Sequence, residues 1–258
     1  MQTGPILRQT SSKPPRVGLF VTCLVDLFRP SVGFAAVKLL EDAGCIVEVP
    51  AAQSCCGRPS RGVADAADAR AAAEATIRAF EDFDYVVAPS ASCAETLVAY
   101  HADHFASDEV WAKRAQAFCA KVHELVAFLV DVMGVSRVDT RLHGSVTYQD
   151  ACGGGLAPQP RRLLASVDGL ALREMDGAAT CCGLGAAGCA SLAGKAAAQK
   201  AASIRAAGAG MLLAGDLGCL MGLAGRLKRD GSAVEVRHVA EVLAGMNDTP
   251  PIGAGGAS

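Results

Sequence analysis

The chain has 258 residues, of which 51% are hydrophobic and 19% are charged. This balance supplies enough apolar surface for a buried core and excludes an intrinsically disordered protein. The 24 basic and 26 acidic side chains give a net charge of −2. We therefore expect neither a nucleic-acid-binding surface nor a basic membrane anchor.

The N-terminal segment, residues 1–15, is polar and Pro-rich. It predicts a disordered tail without a signal peptide, which favours a cytoplasmic location. The most apolar stretch, residues 206–225, contains Asp216 near its centre and several glycines. A carboxylate in the middle of a bilayer costs roughly 2.5–3.5 kcal/mol, so we expect this stretch to belong to a folded domain and not to span a membrane.

Short β-branched runs alternate with helical patterns along the first half of the chain. The predicted strands are 17–22, 45–49 and 85–88. A helical pattern runs from 32 to 43, and apolar residues at helical spacing mark another helix between Ala66 and Phe80. The helical stretch 121–133 closes this part of the chain.

The second half of the chain repeats the alternation. Its predicted strands are 145–149, 172–175 and 211–214, and residues 238–246 are predicted to be helical. Residues 134–144 show no strong pattern and mark the boundary between a first unit, 16–138, and a second unit, 139–246. The Pro/Gly-rich end, 247–258, predicts a disordered tail.

Alternation of strands and helices favours parallel β-α-β crossovers. The predicted fold class is therefore α/β, with two tandem pseudo-symmetric units. Each unit would consist of a small parallel sheet flanked by helices, with cysteines at the carboxyl ends of the strands.

The cysteines repeat in the same way as the strands. Cys23 is followed by the pair Cys55-Cys56 and then by Cys93, and Cys152 is followed by Cys181-Cys182 and then by Cys219. Both pairs are followed by Gly, and 36 residues separate each pair from its last cysteine. This agreement indicates a duplicated unit. The remaining cysteines, which we predict to be small buried apolar side chains, are Cys45, Cys119 and Cys189.

Each predicted strand runs into one member of this cysteine set. Because the carboxyl ends of parallel strands share one edge of a sheet, the four cysteines of each unit are expected to converge there, where open α/β sheets bind ligands. Cys93 and Cys219 also precede predicted helices. The N–H groups at a helix N-terminus favour negative charge and therefore suit thiolates.

Four converging thiolates can hold an iron–sulfur cluster or a structural zinc ion, or can act as redox thiols without a metal. The short C-x-x-C motifs that usually bind structural zinc do not occur in these sets. Adjacent cysteines point in different directions, which suits a cluster in which each sulfur meets a different iron. The pattern thus favours iron–sulfur binding, and the zinc and metal-free alternatives stay open.

Other candidate residues form weaker patterns. We expect His101 and His104 to lie on a solvated helix face, and His123 and His238 to cap or pack. Four arginines near the cysteine loops could bind a carboxylate, although a surface or helix-start role is favoured; they are Arg58, Arg61, Arg161 and Arg162. We predict no catalytic residues, since neither a dinucleotide-binding motif nor a nucleophilic triad is evident.

The stretches around the cysteines resemble the lactate-utilisation protein A family. They include VPAAQSCCGRP, VVAPSASC, CCGLGAAG and GDLGCLMGLAGRL, and the resemblance extends over residues 16 to 246. This family is related to the cysteine-rich subunit of heterodisulfide reductases and to the glycolate oxidase iron–sulfur subunit. The resemblance implies an electron-transfer component of a multi-subunit oxidoreductase that oxidises L-lactate to pyruvate, together with a ferredoxin-like iron–sulfur protein and a third subunit.

The resemblance also implies two clusters of the 4Fe–4S type, one in each unit. The implied ligands are Cys23, Cys55, Cys56 and Cys93 in the first unit, and Cys152, Cys181, Cys182 and Cys219 in the second. The family's fuller motif ends in C-x-x-C, but Ser90 and Asp216 stand at the earlier position here. Either residue could hydrogen-bond to the ligands without binding the metal itself. Asp216 could also be an occasional oxygen ligand or cap a helix. The alternative functions are a catalytic iron–sulfur subunit acting on disulfides or on another 2-hydroxy acid such as glycolate, and a zinc-binding structural module.

Overall fold

The two halves of the chain form two parallel sheets of four strands each, flanked by helices. This architecture, seen in a computed structural model, confirms the predicted α/β class with two tandem units. The residues that the structure describes are 13–57, 66–99, 104–105, 107–152, 157–184 and 190–254.

The first sheet has the strand order β2-β1-β3-β4. Its strands are β1 (Arg16–Leu19), β2 (Ile46–Glu48), β3 (Tyr85–Ala88) and β4 (Val122–Glu124). The helices are α1 (Cys23–Phe28), α2 (Pro30–Asp42), α3 (Ala66–Phe80), α4 (Ala91–Val98), α5 (Glu109–Cys119) and α6 (Leu125–Ala127), and a π-helical turn follows at Phe128–Val132.

The second sheet repeats this order as β6-β5-β7-β8. Its strands are β5 (Arg141–Gln149), β6 (Asp168–Leu172), β7 (Met211–Ala214) and β8 (Glu235–His238). The helices are α7 (Pro158–Leu164), α8 (Ala190–Ala206), α9 (Leu217–Arg229) and α10 (Val239–Leu243). In both sheets the first strand pairs with the next two strands along the chain, and all pairs are parallel.

Several predicted boundaries were wrong. The fourth strand of each sheet was missed: β4 lies inside the predicted helix 121–133, and β8 precedes the predicted helix at 238. A short apolar run fits a strand as well as a buried helix, so periodicity alone cannot separate them. Strand β6 also begins at Asp168 and ends at Leu172, earlier than the predicted strand 172–175.

The two sheets share one hydrophobic core. Phe128 and Leu129 from the first half pack in the same cluster as Val146, Leu213 and Val239 from the second. Polar contacts also cross between the halves, because the Arg29 guanidinium binds the buried Glu241 carboxylate. These contacts place the carboxyl edges of the two sheets beside each other.

The segment 247–254 differs from the predicted disordered tail. Ile252 donates a backbone hydrogen bond to the Val236 carbonyl of strand β8 and packs against the core. The Thr249 carbonyl accepts from the Arg237 guanidinium. Residues 1–12 and 255–258 lie outside the described residues. No helix in the described part of the chain is both long and apolar enough to cross a bilayer.

Candidate metal centres

The four cysteines of the first unit lie together beyond the carboxyl ends of strands β1, β2 and β3. The Sγ atoms of Cys23 and Cys55 are 3.6 Å apart, and those of Cys56 and Cys93 are 3.3 Å apart. A hydrogen bond between Cys55 and Cys56 joins the two pairs and is the main cause of the raised pKa of Cys55. The Cys56 thiol donates to Cys93 and lowers its pKa, although burial acts in the opposite direction.

The second unit brings its four cysteines together at the corresponding place on its own sheet. The Sγ atoms of Cys182 and Cys219 are 2.8 Å apart, and this hydrogen bond lowers the pKa of Cys182 to about 6. Cys152 interacts with Cys181 through its side chain and with the Cys182 backbone. Cys152 and Cys181 are exposed whereas Cys182 is buried, so this set is open to solvent on one side.

The sulfurs of both sets are in direct pairwise contact. As these side chains stand, no three His, Cys, Asp or Glu residues in the described ranges are arranged to hold a metal ion. The donor set is nonetheless purely sulfur in both units, and all eight cysteines are free thiols. Soft thiolate donors suit iron–sulfur clusters and zinc, so the chemistry of the residues fits both groups.

The glycine after each cysteine pair has a backbone conformation that favours glycine over other residues. Gly57 and Gly183 have φ angles of +82° and +95°, a region that residues with a side chain rarely adopt. At Gly183 a Cβ atom would also lie 2.5 Å from the Ala193 carbonyl of helix α8. The glycine therefore lets the second cysteine loop approach helix α8 closely.

Two helix N-termini carry the last cysteine of each set. Cys93 and Cys219 are each the third residue of their helix, α4 and α9. The Ser90 hydroxyl accepts from the Cys93 N–H at 3.2 Å, and the Asp216 carboxylate accepts from the Cys219 N–H at 3.3 Å. The predicted capping role of Asp216 is thus confirmed, and Ser90 has the same role in the first unit.

The Asp216 carboxylate also joins the two units. Its Oδ2 atom accepts hydrogen bonds from the hydroxyls of Ser90 and Ser92. Hydrogen bonds with Cys56 and Cys219 lower the pKa values of Cys93 and Cys182, and the negative charge of Asp216 opposes both changes. The pKa of Cys219 is raised, first by its hydrogen bond with Cys182 and by burial, and Asp216 adds to that rise. Asp216 therefore lies between the two cysteine sets. The sequence showed only its capping pattern, because a contact between units leaves no local signal.

The loop that carries Cys152 is held by a buried ion pair. The Arg161 guanidinium of helix α7 donates to both oxygens of Asp150, at 2.8 Å each, and also binds Glu174. The Asp150 side chain is fully buried, and these contacts raise the pKa of Arg161. The Arg161 guanidinium is thus already paired with two carboxylates. Arg161 positions the second cysteine loop and is not available to a carboxylate ligand.

A cavity of ≈150 Å³ opens between the units beside Cys152 and Cys219. Its other polar lining comes from both halves of the chain and includes Ser92, Glu95, Glu124, Tyr148, Gln149, Asp150 and Asp216. The Gln149 amide donates to the carbonyls of Asp150 and Thr180, and its buried Oε1 atom has no hydrogen-bond partner. The wall therefore carries several carboxylates, of which only Asp150 is bound by Arg161.

Glu124 is a carboxyl group of this wall whose pKa is raised. It ends strand β4 and caps helix α6, accepting from the Ala127 N–H at 2.9 Å. A Cβ atom on Gly215 would lie 3.5 Å from both the Glu124 carboxylate and the Tyr148 hydroxyl. Burial raises the pKa of Glu124 to about 7. The sequence does not single out Glu124, because the apolar pattern of 121–133 predicts one continuous helix.

This raised pKa predicts a pH-dependent effect of Glu124→Gln. Ionisation of Glu124 disfavours the folded state, so its stabilising contribution is complete below pH 4.5 and is lost as the pH rises through 7. The glutamine stays neutral and keeps the capping acceptor. We expect its free energy of unfolding, relative to wild type, to rise by about 1–2 kcal/mol from pH 5 to pH 8, since the cavity partly solvates the carboxylate. Urea unfolding at both pH values measures this, and an equal difference at both would contradict it.

The remaining predicted residues have structural roles where they are described. His238 caps helix α10, as its Nδ1 atom accepts from the Ala240 N–H, and His123 packs against Tyr85 and Phe128. Cys45 is buried as predicted, and the partly buried Cys119 thiol donates to the Leu97 carbonyl. Residues outside the described ranges are Arg58, Arg61, His101 and Cys189.

The fold and its two cysteine sets define a tandem α/β cysteine-rich protein. The family model described as "CCG: Cysteine-rich domain" matches residues 17–98 and 146–224. Lactate utilization protein A of Geobacillus kaustophilus (strain HTA426) is 42% identical over 240 residues, covering 90% of this chain and 100% of that protein. Lactate utilization protein A 2 of Bacillus mycoides (strain KBAB4) is 40% identical over 235 residues, covering 88% and 98%. The chain belongs to the CCG cysteine-rich domain family and, within it, to the lactate utilization protein A family.

A solved structure has the same fold. The structure of a hypothetical protein from Helicobacter pylori matches with a TM-score of 0.66 and 11% sequence identity. The match covers 92% of this chain and 50% of that chain, so this chain spans about half the length of that protein. At this level of identity the likeness concerns the fold alone.

Proposed function

We propose that this chain is an iron–sulfur electron carrier in the oxidation of L-lactate to pyruvate. The observation that carries the proposal is the gathering of eight thiols from distant parts of the sequence into two sets at neighbouring sheet edges. The likeness to relatives named for lactate utilization supports the substrate assignment.

Each cysteine set would hold one cluster, of the 4Fe–4S type. The first would be bound by Cys23, Cys55, Cys56 and Cys93, and the second by Cys152, Cys181, Cys182 and Cys219. When bound, such clusters accept and release single electrons. The chain supplies the thiolates, and the helix N-termini at Cys93 and Cys219 add partial positive charge that favours an anionic group.

The contacts around Asp216 support electron transfer between the two clusters. Ser90 and Ser92 from the first unit and the Cys219 N–H from the second bind the same carboxylate. The two cysteine sets are therefore close neighbours, held by a hydrogen-bonded link within one folded core. This arrangement suits a carrier that passes electrons from one cluster to the other.

The charge of the cavity favours a carrier over a subunit that binds the hydroxy acid itself. Glu95, Glu124 and Asp216 line the cavity. The Arg161 guanidinium, which contacts the lining residue Asp150, is fully engaged by Asp150 and Glu174. A lactate or glycolate anion would be repelled by these carboxylates and by an anionic cluster. We infer that substrate oxidation takes place on a partner protein.

The partners we propose are a ferredoxin-like iron–sulfur protein and a third subunit of the same pathway, with all three in the cytoplasm. The first unit, 16–138, and the second, 139–246, would each contribute one cluster to the series of electron carriers that these proteins form. The isolated chain would then transfer electrons without turning over lactate on its own.

Anaerobic purification tests the proposal directly. We expect a brown protein with about eight iron and eight sulfide per chain, the content of two 4Fe–4S clusters held by cysteine. L-lactate should reduce the clusters only when the partner proteins are present. A colourless protein with two zinc ions would instead support the structural module, and lactate or disulfide turnover by the chain alone would support the catalytic alternative.

A further inference from the structure

A lysine is buried beside the second cysteine set. Lys200 lies on helix α8 and is only 1% exposed. Its ammonium donates hydrogen bonds to the carbonyls of Gly177 and Ala178, in the segment just before Cys181. These bonds tie helix α8 to the loop that carries the cysteine pair.

The surroundings of Lys200 are negative when the nearby thiols are ionised, as thiols must be when they bind a metal. The groups whose charges act on its ammonium are Cys152, Cys181, Cys182 and Asp150. Asp150 is already matched by Arg161, which binds both of its oxygens. The negative charge that remains for Lys200 to offset is that of the second cysteine set.

Burying a lysine is an expensive way to bind two carbonyls. Removal of an ammonium from water costs several kcal/mol. Burial lowers the pKa of Lys200, and the charges of the ionised cysteines and of Asp150 only oppose this. A neutral donor such as glutamine could satisfy the same carbonyls without that cost. The positive charge is therefore the property that distinguishes lysine at this position.

The first unit has a different residue at the corresponding place. Helices α3 and α8 each have two fully buried residues three apart, Ile77 and Phe80 in α3, and Ala201 and Ile204 in α8. By this register Lys200 corresponds to Thr76, whose hydroxyl donates to Ala72 in its own helix. The buried ammonium is thus a feature of helix α8 and not of the repeated unit.

We propose that Lys200 is a positioning residue that sets the reduction potential of the second cluster. Its ammonium stabilises the cluster with one more electron relative to the oxidised cluster, which raises the potential without any proton transfer. This inference rests on the proposed function, because it requires a redox cluster at Cys152, Cys181, Cys182 and Cys219. With Lys200 present, the second cluster would hold an added electron more strongly than it would with a neutral residue at position 200.

A redox titration of the full-length protein with its clusters tests this. In Lys200→Gln, which keeps donor groups but loses the charge, we expect the equilibrium constant for reduction of the second cluster to fall about tenfold or more. For a one-electron couple, tenfold is 59 mV. Lys200→Arg keeps the charge and should stay within about threefold of wild type. Lys195→Gln, which removes an exposed charge from the same helix, is the matched control and should change little.

The outcomes separate this inference from the proposed function. If Lys200→Gln retains its iron and its potential is unchanged, or if Lys200→Arg shifts as far as Lys200→Gln, the charge does not set the potential. If both Lys200→Gln and Lys200→Met lose the second cluster while Lys200→Arg keeps it, the charge serves cluster assembly, and the inference is also rejected. A wild-type protein that contains no iron–sulfur cluster would overturn the proposed function itself.

Discussion

Cys182→Ser is expected to remove about half of the iron and sulfide, leaving about four of each per chain. Cys182 is 6% exposed and its sulfur contacts that of Cys219, so it lies at the enclosed end of the second set. A serine hydroxyl is a harder and far less acidic donor than a thiol. The cluster of the first unit should remain, because its four cysteines come from the other sheet. Iron and sulfide analysis of anaerobically purified protein measures the loss.

The chain supplies three matched controls for this substitution. Cys56→Ser changes the corresponding cysteine of the first unit and should also leave about half of the iron, with the spectrum of the second cluster retained. Cys119→Ser changes a thiol outside both sets, which donates to the Leu97 carbonyl, and should leave the iron content unchanged. We expect the same of Cys189→Ser. Full iron content in Cys182→Ser would contradict the proposed ligand set.

The cysteine sets and the fold class could be predicted because both depend on patterns among residues that are close together in the sequence. A short predicted strand precedes each single cysteine and each cysteine pair of the two sets, and parallel strands then bring those cysteines to one edge whatever their separation along the chain. The capping role of Asp216 was predictable for the same reason, since an N-cap depends on residues within one turn of helix. Local patterns thus identified the site and most of the strands around it.

The features that the sequence did not reveal depend on contacts between distant segments. Glu124 was hidden because strand β4 has only three residues inside an apolar run that also fits a helix. Lys200 has the sequence pattern of an ordinary exposed helix lysine, and only the packing of helix α8 under the second cysteine loop shows its burial. The link from Ser90 and Ser92 to Asp216 spans more than 120 residues, which no local pattern encodes.

Arg29→Met is expected to lower the free energy of unfolding by about 3–5 kcal/mol, the usual effect of removing one partner from a buried ion pair. The Arg29 guanidinium makes three contacts with Glu241, at 2.9, 3.2 and 3.1 Å, and the two side chains are 10% and 0% exposed. Methionine would leave the Glu241 carboxylate buried with only neutral donors, from Ser31 and the His238 backbone. Urea unfolding measures the change as a lower midpoint at an unchanged slope.

A substitution at a second arginine, Arg141, distinguishes the effect of the buried ion pair from that of an exposed one. Arg141→Met breaks an ion pair with Asp168 in which both side chains are more than 60% exposed, and we expect a loss of at most about 1 kcal/mol. Adding Glu241→Gln to Arg29→Met should recover part of the stability, because it removes the unpaired buried charge while keeping an acceptor for Ser31. Equal losses in the two arginine variants, or no recovery in the double variant, would mean that this ion pair does not hold helices α2 and α10 together. The two sheets would then depend on their shared apolar core and on the hydrogen bonds from Ser90 and Ser92 to Asp216 to keep the cysteine edges side by side.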